Sequence, residues 1–173
     1  MARQDVLNPP GHAGDYWKLL AARPVSVPIV AARDANGPAG FLALSVSHVS
    51  ANPPSMMVAV GKSTSALATI VNSGSFSINY LPEDAAETAD IFGGRGGVDG
   101  AARFGEGEWT SLATGAPIFH RSPLAFDCSL ESTFDFHETV IVVGVIKASA
   151  MDSDRPPLLS YRGRYTGMPA GSS

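Results

Sequence analysis

Cysteine is almost missing from this chain: Cys128 is the single one in 173 residues. An intrachain disulfide is excluded, and so is a metal centre built on clustered thiols. Cys128 alternates with apolar neighbours in LAFDCSLES, which fits a small core residue better than a catalytic thiol. Charge is scarce too. Only 16% of residues are charged and the net charge is −4, so there is no basic footprint for nucleic acid. Long apolar runs are lacking. Apolar runs such as Val140 to Val143 are far too short to span a membrane. The opening MARQDVLNPPGHAGDYW has no apolar core of useful length, so we expect no signal peptide and a cytoplasmic protein. The four histidines include no pair at metal-ligand spacing with a carboxylate or thiol. No GxGxxG opens a helix and no GxxxxGK[ST] occurs, so a Rossmann dinucleotide domain and a P-loop are both excluded. Nor is there a Ser-His-Asp cluster or an obvious pair of catalytic carboxylates.

What is present points to a folded, turn-rich protein. Hydrophobic residues make up 45% of the chain, with 18 glycines and 13 prolines. That composition argues against disorder and suits many short strands. The length fits one domain with a real core, and no repeat or linker divides it. We read residues 1–173 as a single domain with its core at about 15–165 and a frayed tail at 169–173. The low charge fraction hints that a second subunit covers some apolar surface.

The chain reads as strands with a few helices. DYWKLLAA at Asp15 to Ala22 is a short helix stopped by Pro24. Val25 to Ala31 alternates as a strand, with Pro28 implying an edge or a bulge. Asp34 to Pro38 is a turn centred on Asn36-Gly37, and Gly40 to Ser47 is the returning strand. Met56 to Val60 is a short buried strand. Thr64 to Asn72 is a helix ended by Gly74. Ser75 to Leu81 is a strand, and Pro82 to Phe92 a helix beginning at Pro82 or Glu83. Gly93 to Gly100 is a glycine-rich surface loop or lid. Arg103 to Thr114 is irregular, anchored by Trp109. Leu124 to Ser132 and Thr139 to Ser149 are two strong strands, and Leu158 to Tyr161 a last short one. Such spacing fits a closed antiparallel barrel or a sandwich.

The densest chemistry lies at Lys62-Ser63-Thr64-Ser65, where a strand ends and a helix begins. Unpaired N–H groups and a partial positive charge at a helix start, beside hydroxyls and a lysine, make a seat for a phosphate. An ordinary Ser/Thr cap with a solvated lysine fits the cluster equally well.

The wider segment resembles the flavin reductase-like family. The match runs through Ala39-Gly40, Ala43, Ser45, Ser50, Pro53-Pro54 and Lys62 to Ser65, then Asn72 to Asn79. It continues at Gly115-Ala116-Pro117, Asp135-Phe136-His137 with Gly144, and Pro157 to Tyr165, so it covers nearly everything from Arg23 to Tyr165. The resemblance implies a Greek-key split β-barrel of the FMN-binding type, mainly β with peripheral helices. It further implies an NAD(P)H:flavin oxidoreductase that moves hydride from NADH or NADPH to FMN or FAD. Reduced flavin would pass to a separate monooxygenase, and the protein would be a homodimer with the flavin near the subunit interface.

Site residues follow from the same resemblance. The strand holding Ala43, Leu44, Ser45, Val46 and Ser50 would lie along the flavin ring, and Lys62, Ser63, Thr64 and Ser65 would take the phosphate. Tyr161, Arg164 and Tyr165 would approach the flavin or the dinucleotide. His137 would be the catalytic residue, near where flavin and nicotinamide meet. Leu42 and His48 depart from the family pattern, which has threonine and often serine there. No metal is expected. The proposed chemistry needs stacked rings and a dry site rather than a strong acid or base. Two other functions stay open: an FMN-binding flavoprotein that keeps its flavin, and a barrel module for another ligand in which Lys62 to Ser65 is only a cap.

Overall fold

A computed structural model of the protein describes residues 11–168. The opening residues used to exclude a signal peptide lie mostly outside the described residues, and the tail at 169–173 lies wholly outside them.

The elements in chain order are α1 (Ala13–Ala21), β1 (Val25–Ser26), β2 (Pro28–Asp34), β3 (Gly37–Leu42), β4 (Ser47–Ala51), β5 (Pro54–Gly61), α2 (Ser65–Ser73), β6 (Ser75–Tyr80), α3 (Ala86–Phe92), a 3₁₀ turn (Gly100–Arg103), β7 (Trp109–Ser111), β8 (Pro117–Phe119), β9 (Leu124–Phe136), β10 (Thr139–Met151), β11 (Leu158–Tyr161) and β12 (Arg164–Gly167). Seven strands form one antiparallel ladder in the order β3-β2-β6-β9-β10-β5-β4. β1, β11 and β12 form a second small sheet, and β7 and β8 a third.

The ladder is not a closed one, contrary to the simplest barrel expectation. Its two edges, β3 and β4, are joined by the kinked segment 43–46. That segment spans the gap through few bonds. Ala43 N–H donates to the Pro28 carbonyl at 2.9 Å. Ser45 Oγ donates to the Ala59 carbonyl at 3.1 Å and accepts from the Ala59 N–H at 3.3 Å. The expected continuous strand from Gly40 to Ser47 is therefore broken at a turn on Leu44-Ser45. The small residues there give no strong strand signal, and the backbone bends to reach both edges.

β2 explains the two apolar clusters. Val30 and Ala32 enter a core inside the seven-stranded sheet with Val58, Val60, Ile70, Phe76, Ile78 and Val142. Ile29 and Ala31, on the opposite face, enter a second core with Leu81, Ala89, Phe92, Phe119 and Leu158. A strand buried on both faces reads as a continuous apolar run, as Pro28 to Ala32 does. Each fully buried side chain of this size contributes roughly 1.5–3 kcal/mol. Pro28 is not at an edge, because β2 lies between β3 and β6; it is tolerated as the first residue of the strand. The β2–β3 turn holds Ala35-Asn36, with Asp34 paired to Gly37, rather than centring on Asn36-Gly37. The Asn36 N–H caps the Asp34 carboxylate at 2.8 Å, and this bond leads in holding that carboxyl below its ordinary value.

Helix α2 follows its sequence signals: Gly74 ends it in the left-handed region at φ 67, where glycine avoids a Cβ clash. Helix α3 starts later than expected, since Pro82 bridges to Pro157 instead of opening the helix. The glycine-rich loop after it is tied down. Arg95 donates to Tyr165 Oη at 2.7 Å and lies 2.6 Å from Asp90, while Arg103 Nε donates to the Val98 carbonyl at 2.9 Å. Strands β7, β8 and β12 were not expected.

Candidate functional site

Three pieces of the sequence-predicted site, the segment 43–50, Lys62 to Ser65 and the hairpin tip at His137, come together along β5. The strand runs into Lys62-Ser63-Thr64 and then α2. Beside it, Thr139 pairs with Gly61 in the β5–β10 register. The tip of the β9–β10 hairpin is thereby fixed next to Lys62, whose N–H donates to the Glu138 carbonyl at 2.9 Å. Lys62 Nζ lies 2.6 Å from Asp135 Oδ1. On the other side of β5, Ser45 meets Ala59 and β4 pairs Ser47 with Met57.

The helix start offers the donors that an anion needs. Thr64 occupies the N-cap position with extended backbone, yet its hydroxyl makes no capping bond. Thr64 is half-buried, and Lys62, Ser63 and Ser65 are exposed beside it. The first-turn N–H groups have no intrahelical acceptors at any helix start, and the helix dipole adds a partial positive charge there.

The segment 43–50 divides by role. Ala43 is buried in the core inside the sheet, and its N–H donates to the Pro28 carbonyl. The Ser45 hydroxyl is engaged with Ala59 and ties the segment 43–46 to β5. Val46 is packed against the core from outside, while Leu44 and Val49 are exposed. Ser50 Oγ accepts from the Asn52 N–H at 3.1 Å. Leu42, at the family's threonine position, points away from this group. It packs with Ile91, Phe104 and Tyr165 against the second core. His48 is exposed on the edge strand β4.

His137 stands at the hairpin tip with φ 49, a left-handed conformation unusual for a non-glycine residue. It is exposed, and its ring meets Phe136 edge-on with centroids 4.6 Å apart.

Tyr161, Arg164 and Tyr165 form a separate group on the β11–β12 hairpin. The turn between them puts Arg162 at φ 51 and Gly163 at φ 72, and Arg162 N–H donates to the Ala21 carbonyl of α1 at 2.6 Å. Tyr165 accepts from Arg95; partial burial leads in raising its phenol above the ordinary value. Among the described residues no hydrogen bond or ion pair joins this hairpin to the Lys62 group. Cys128 is settled as a core residue: it is fully buried beside Phe76, and burial, aided by the Asp127 charge, pushes its thiol up to about 12. The sequence had shown no pairing of Lys62 with Asp135, because only the register of β5 on β10 brings them together.

A family model for the flavin reductase like domain matches residues 20–169. The chain belongs to the flavin reductase-like family. It is 30% identical over 151 residues to the FMN reductase (NADH) RutF of Agrobacterium fabrum, covering 87% of this chain and 86% of that protein. It is 33% identical over 142 residues to the flavin-dependent monooxygenase reductase subunit HsaB of Rhodococcus jostii, covering 82% of this chain and 71% of that one. Among solved structures, nitrilotriacetate monooxygenase component B from Mycobacterium thermoresistibile superposes with a TM-score of 0.82 at 25% identity, over 92% of this chain and 88% of that one. The split-barrel fold expected from the sequence is thus the fold of the family. As to membranes, no helix among the described residues is long and apolar enough to cross one.

Proposed function

We propose that this protein is an NADH-dependent flavin reductase that acts on FMN and supplies reduced flavin to a separate monooxygenase. Family membership and the named relatives support the reaction, and the donor set at the start of α2 carries the assignment of the site. Bound flavin supplies the hydride chemistry, accepting from the nicotinamide. The chain's residues hold and orient it. Lys62, the unspent Thr64 hydroxyl, Ser63, Ser65 and the first N–H groups of α2 fit a phosphate monoester, which brings close to two negative charges and several acceptor oxygens. Leu44 and Val49 give exposed apolar surface beside β5, and the backbone at 44–46 offers polar groups to a ring edge.

His137 projects from a tip fixed to Lys62 through Glu138, so it stands on the same side as the phosphate seat. It serves as the donor that meets the nicotinamide or the reduced ring. In this reading Tyr161, Arg164 and Tyr165, on their separate hairpin, approach the dinucleotide rather than the phosphate seat. The protein acts as a homodimer in this reading. Phe134 and Phe136, 58% and 64% exposed on one face of the β9–β10 arm, are the apolar surface that a second copy covers, in keeping with the low charge fraction.

The test combines turnover with binding. NADH oxidation should rise on adding FMN. The double variant Lys62→Ala, Ser63→Ala should lose FMN affinity by about 1.5–3 kcal/mol, the worth of a charged hydrogen bond, while riboflavin binding stays near wild type. Equal weakening of both ligands would sink the phosphate seat.

A further inference from the structure

Lys62 is already engaged. Its ammonium lies 2.6 Å from the Asp135 carboxylate, with 42% of the lysine side chain and 76% of the aspartate side chain still exposed. The contact is open to solvent, so a dissolved anion can reach the ammonium. The aspartate comes from β9, the far strand of the hairpin, and is held in place by backbone. Val140 pairs with Asp135 across the hairpin, and Glu138 holds the Lys62 N–H. A phosphate arriving at the start of α2 therefore meets a tethered carboxylate that binds the same ammonium and repels the incoming charge.

We propose that Asp135 is a specificity-determining residue of the flavin site: a built-in carboxylate competitor that occupies Lys62 until a phosphate displaces it. The inference rests on the phosphate-seat reading above. Phosphate wins the exchange because it carries more charge and also uses the helix N–H groups, which Asp135 does not engage. The cost of displacing Asp135 keeps the affinity for phosphorylated flavin moderate, which suits a protein that hands its reduced flavin on. Riboflavin, with no phosphate, is indifferent to Asp135.

The dissociation constants of FMN and riboflavin, read from flavin fluorescence quenching, test this in wild type, Asp135→Asn, Asp135→Glu, Lys62→Ala and the Lys62→Ala, Asp135→Asn pair. Asp135→Asn should tighten FMN about two- to fivefold, the range of an exposed ion pair, and leave riboflavin unchanged. The gain should shrink at high salt, and without Lys62 it should fall to the smaller part that direct repulsion between Asp135 and phosphate supplies. Asp135→Glu should keep the wild-type FMN-to-riboflavin ratio. An unchanged ratio in Asp135→Asn would overturn the proposal. So would weaker FMN binding, which would mean that Asp135 orients Lys62 toward the phosphate. A wild type with no preference for FMN over riboflavin would bring down the phosphate seat itself. That outcome is distinct from a clear preference that Asp135→Asn fails to alter.

Discussion

Replacing Gly144 with alanine should destabilise the protein through a single clash. Gly144 sits in β10 where its pairing with β9 slips, from Val143 opposite Ser132 to Gly144 opposite Leu130. On its other side it faces Met56 of β5. A Cβ added there would stand 2.5 and 2.7 Å from Cε1 and Cζ of Phe76 and 3.0 Å from Cys128 Cβ. Phe76 is fully buried in the barrel core, so its ring cannot swing aside. Overpacking a dense core costs roughly 1–3 kcal/mol. Replacing glycine recovers about 0.5–1 kcal/mol of chain entropy. The net loss falls between about 0 and 2.5 kcal/mol and centres near 1 kcal/mol, about 2–4 °C in Tm for a chain of this size. Thermal unfolding followed by circular dichroism reads it directly. The Phe76→Leu background supplies the control: removing the ring should make Gly144→Ala cheaper by about 1 kcal/mol, a coupling expected only of residues in contact. A Tm for Gly144→Ala within 1 °C of wild type, or strict additivity with Phe76→Leu, would refute the steric account.

Two further predictions concern buried polar atoms. Asn79→Ala should cost about 2–3 kcal/mol, because it leaves buried backbone groups unpaired. The Asn79 amide donates to Ile29 O, Pro117 O and Ser77 Oγ and accepts from the Phe119 N–H at 3.0 Å. Near-ultraviolet dichroism should change with it, since Phe119 lies 5.2 Å from Trp109, centroid to centroid. Cys128 should react with thiol reagents only as fast as the protein unfolds. Its folded thiol is raised to about 12, so its contribution to stability is intact below the unfolded thiol's value and is lost as pH rises toward 12. Cys128→Ala should flatten that alkaline limb; an unchanged limb would remove the thiol from it.

How much could be read in advance depended on how local each cause is. Helix α2 was legible because its Ser/Thr-rich start and its stop, Gly74, lie within one segment. The long strands β9 and β10 were legible from their β-branched and aromatic runs. Strands β7 and β8 escaped notice because they are three residues each, too short to show a period. The break at Leu44-Ser45 was hidden because it answers to two sheet edges far apart in sequence. The Lys62 cluster could be read as a candidate phosphate seat, but its occupation by Asp135 could not, since strand register decides it. The same holds for Gly144, whose reason lies in the ring of Phe76 on another strand.

His137 ties the fold to the proposed chemistry most tightly, because its backbone is strained where its side chain is wanted. At φ 49 an L-residue other than glycine, asparagine or aspartate is disfavoured by roughly 1–2 kcal/mol. A sequence shaped only for stability would place glycine or asparagine at this hairpin tip. Three variants separate backbone from ring. His137→Gly and His137→Asn should match or exceed wild type in Tm, offset only by the lost Phe136 contact, whereas His137→Ala keeps the strain and should melt lower than both. All three should reduce flavin more slowly at saturating NADH while FMN binding stays near wild type, because each lacks the imidazole. If His137→Ala melts with His137→Gly, the backbone at the tip is not strained. If any of the three turns over at the wild-type rate, the imidazole has no part in the reaction and the strain must serve the hairpin alone.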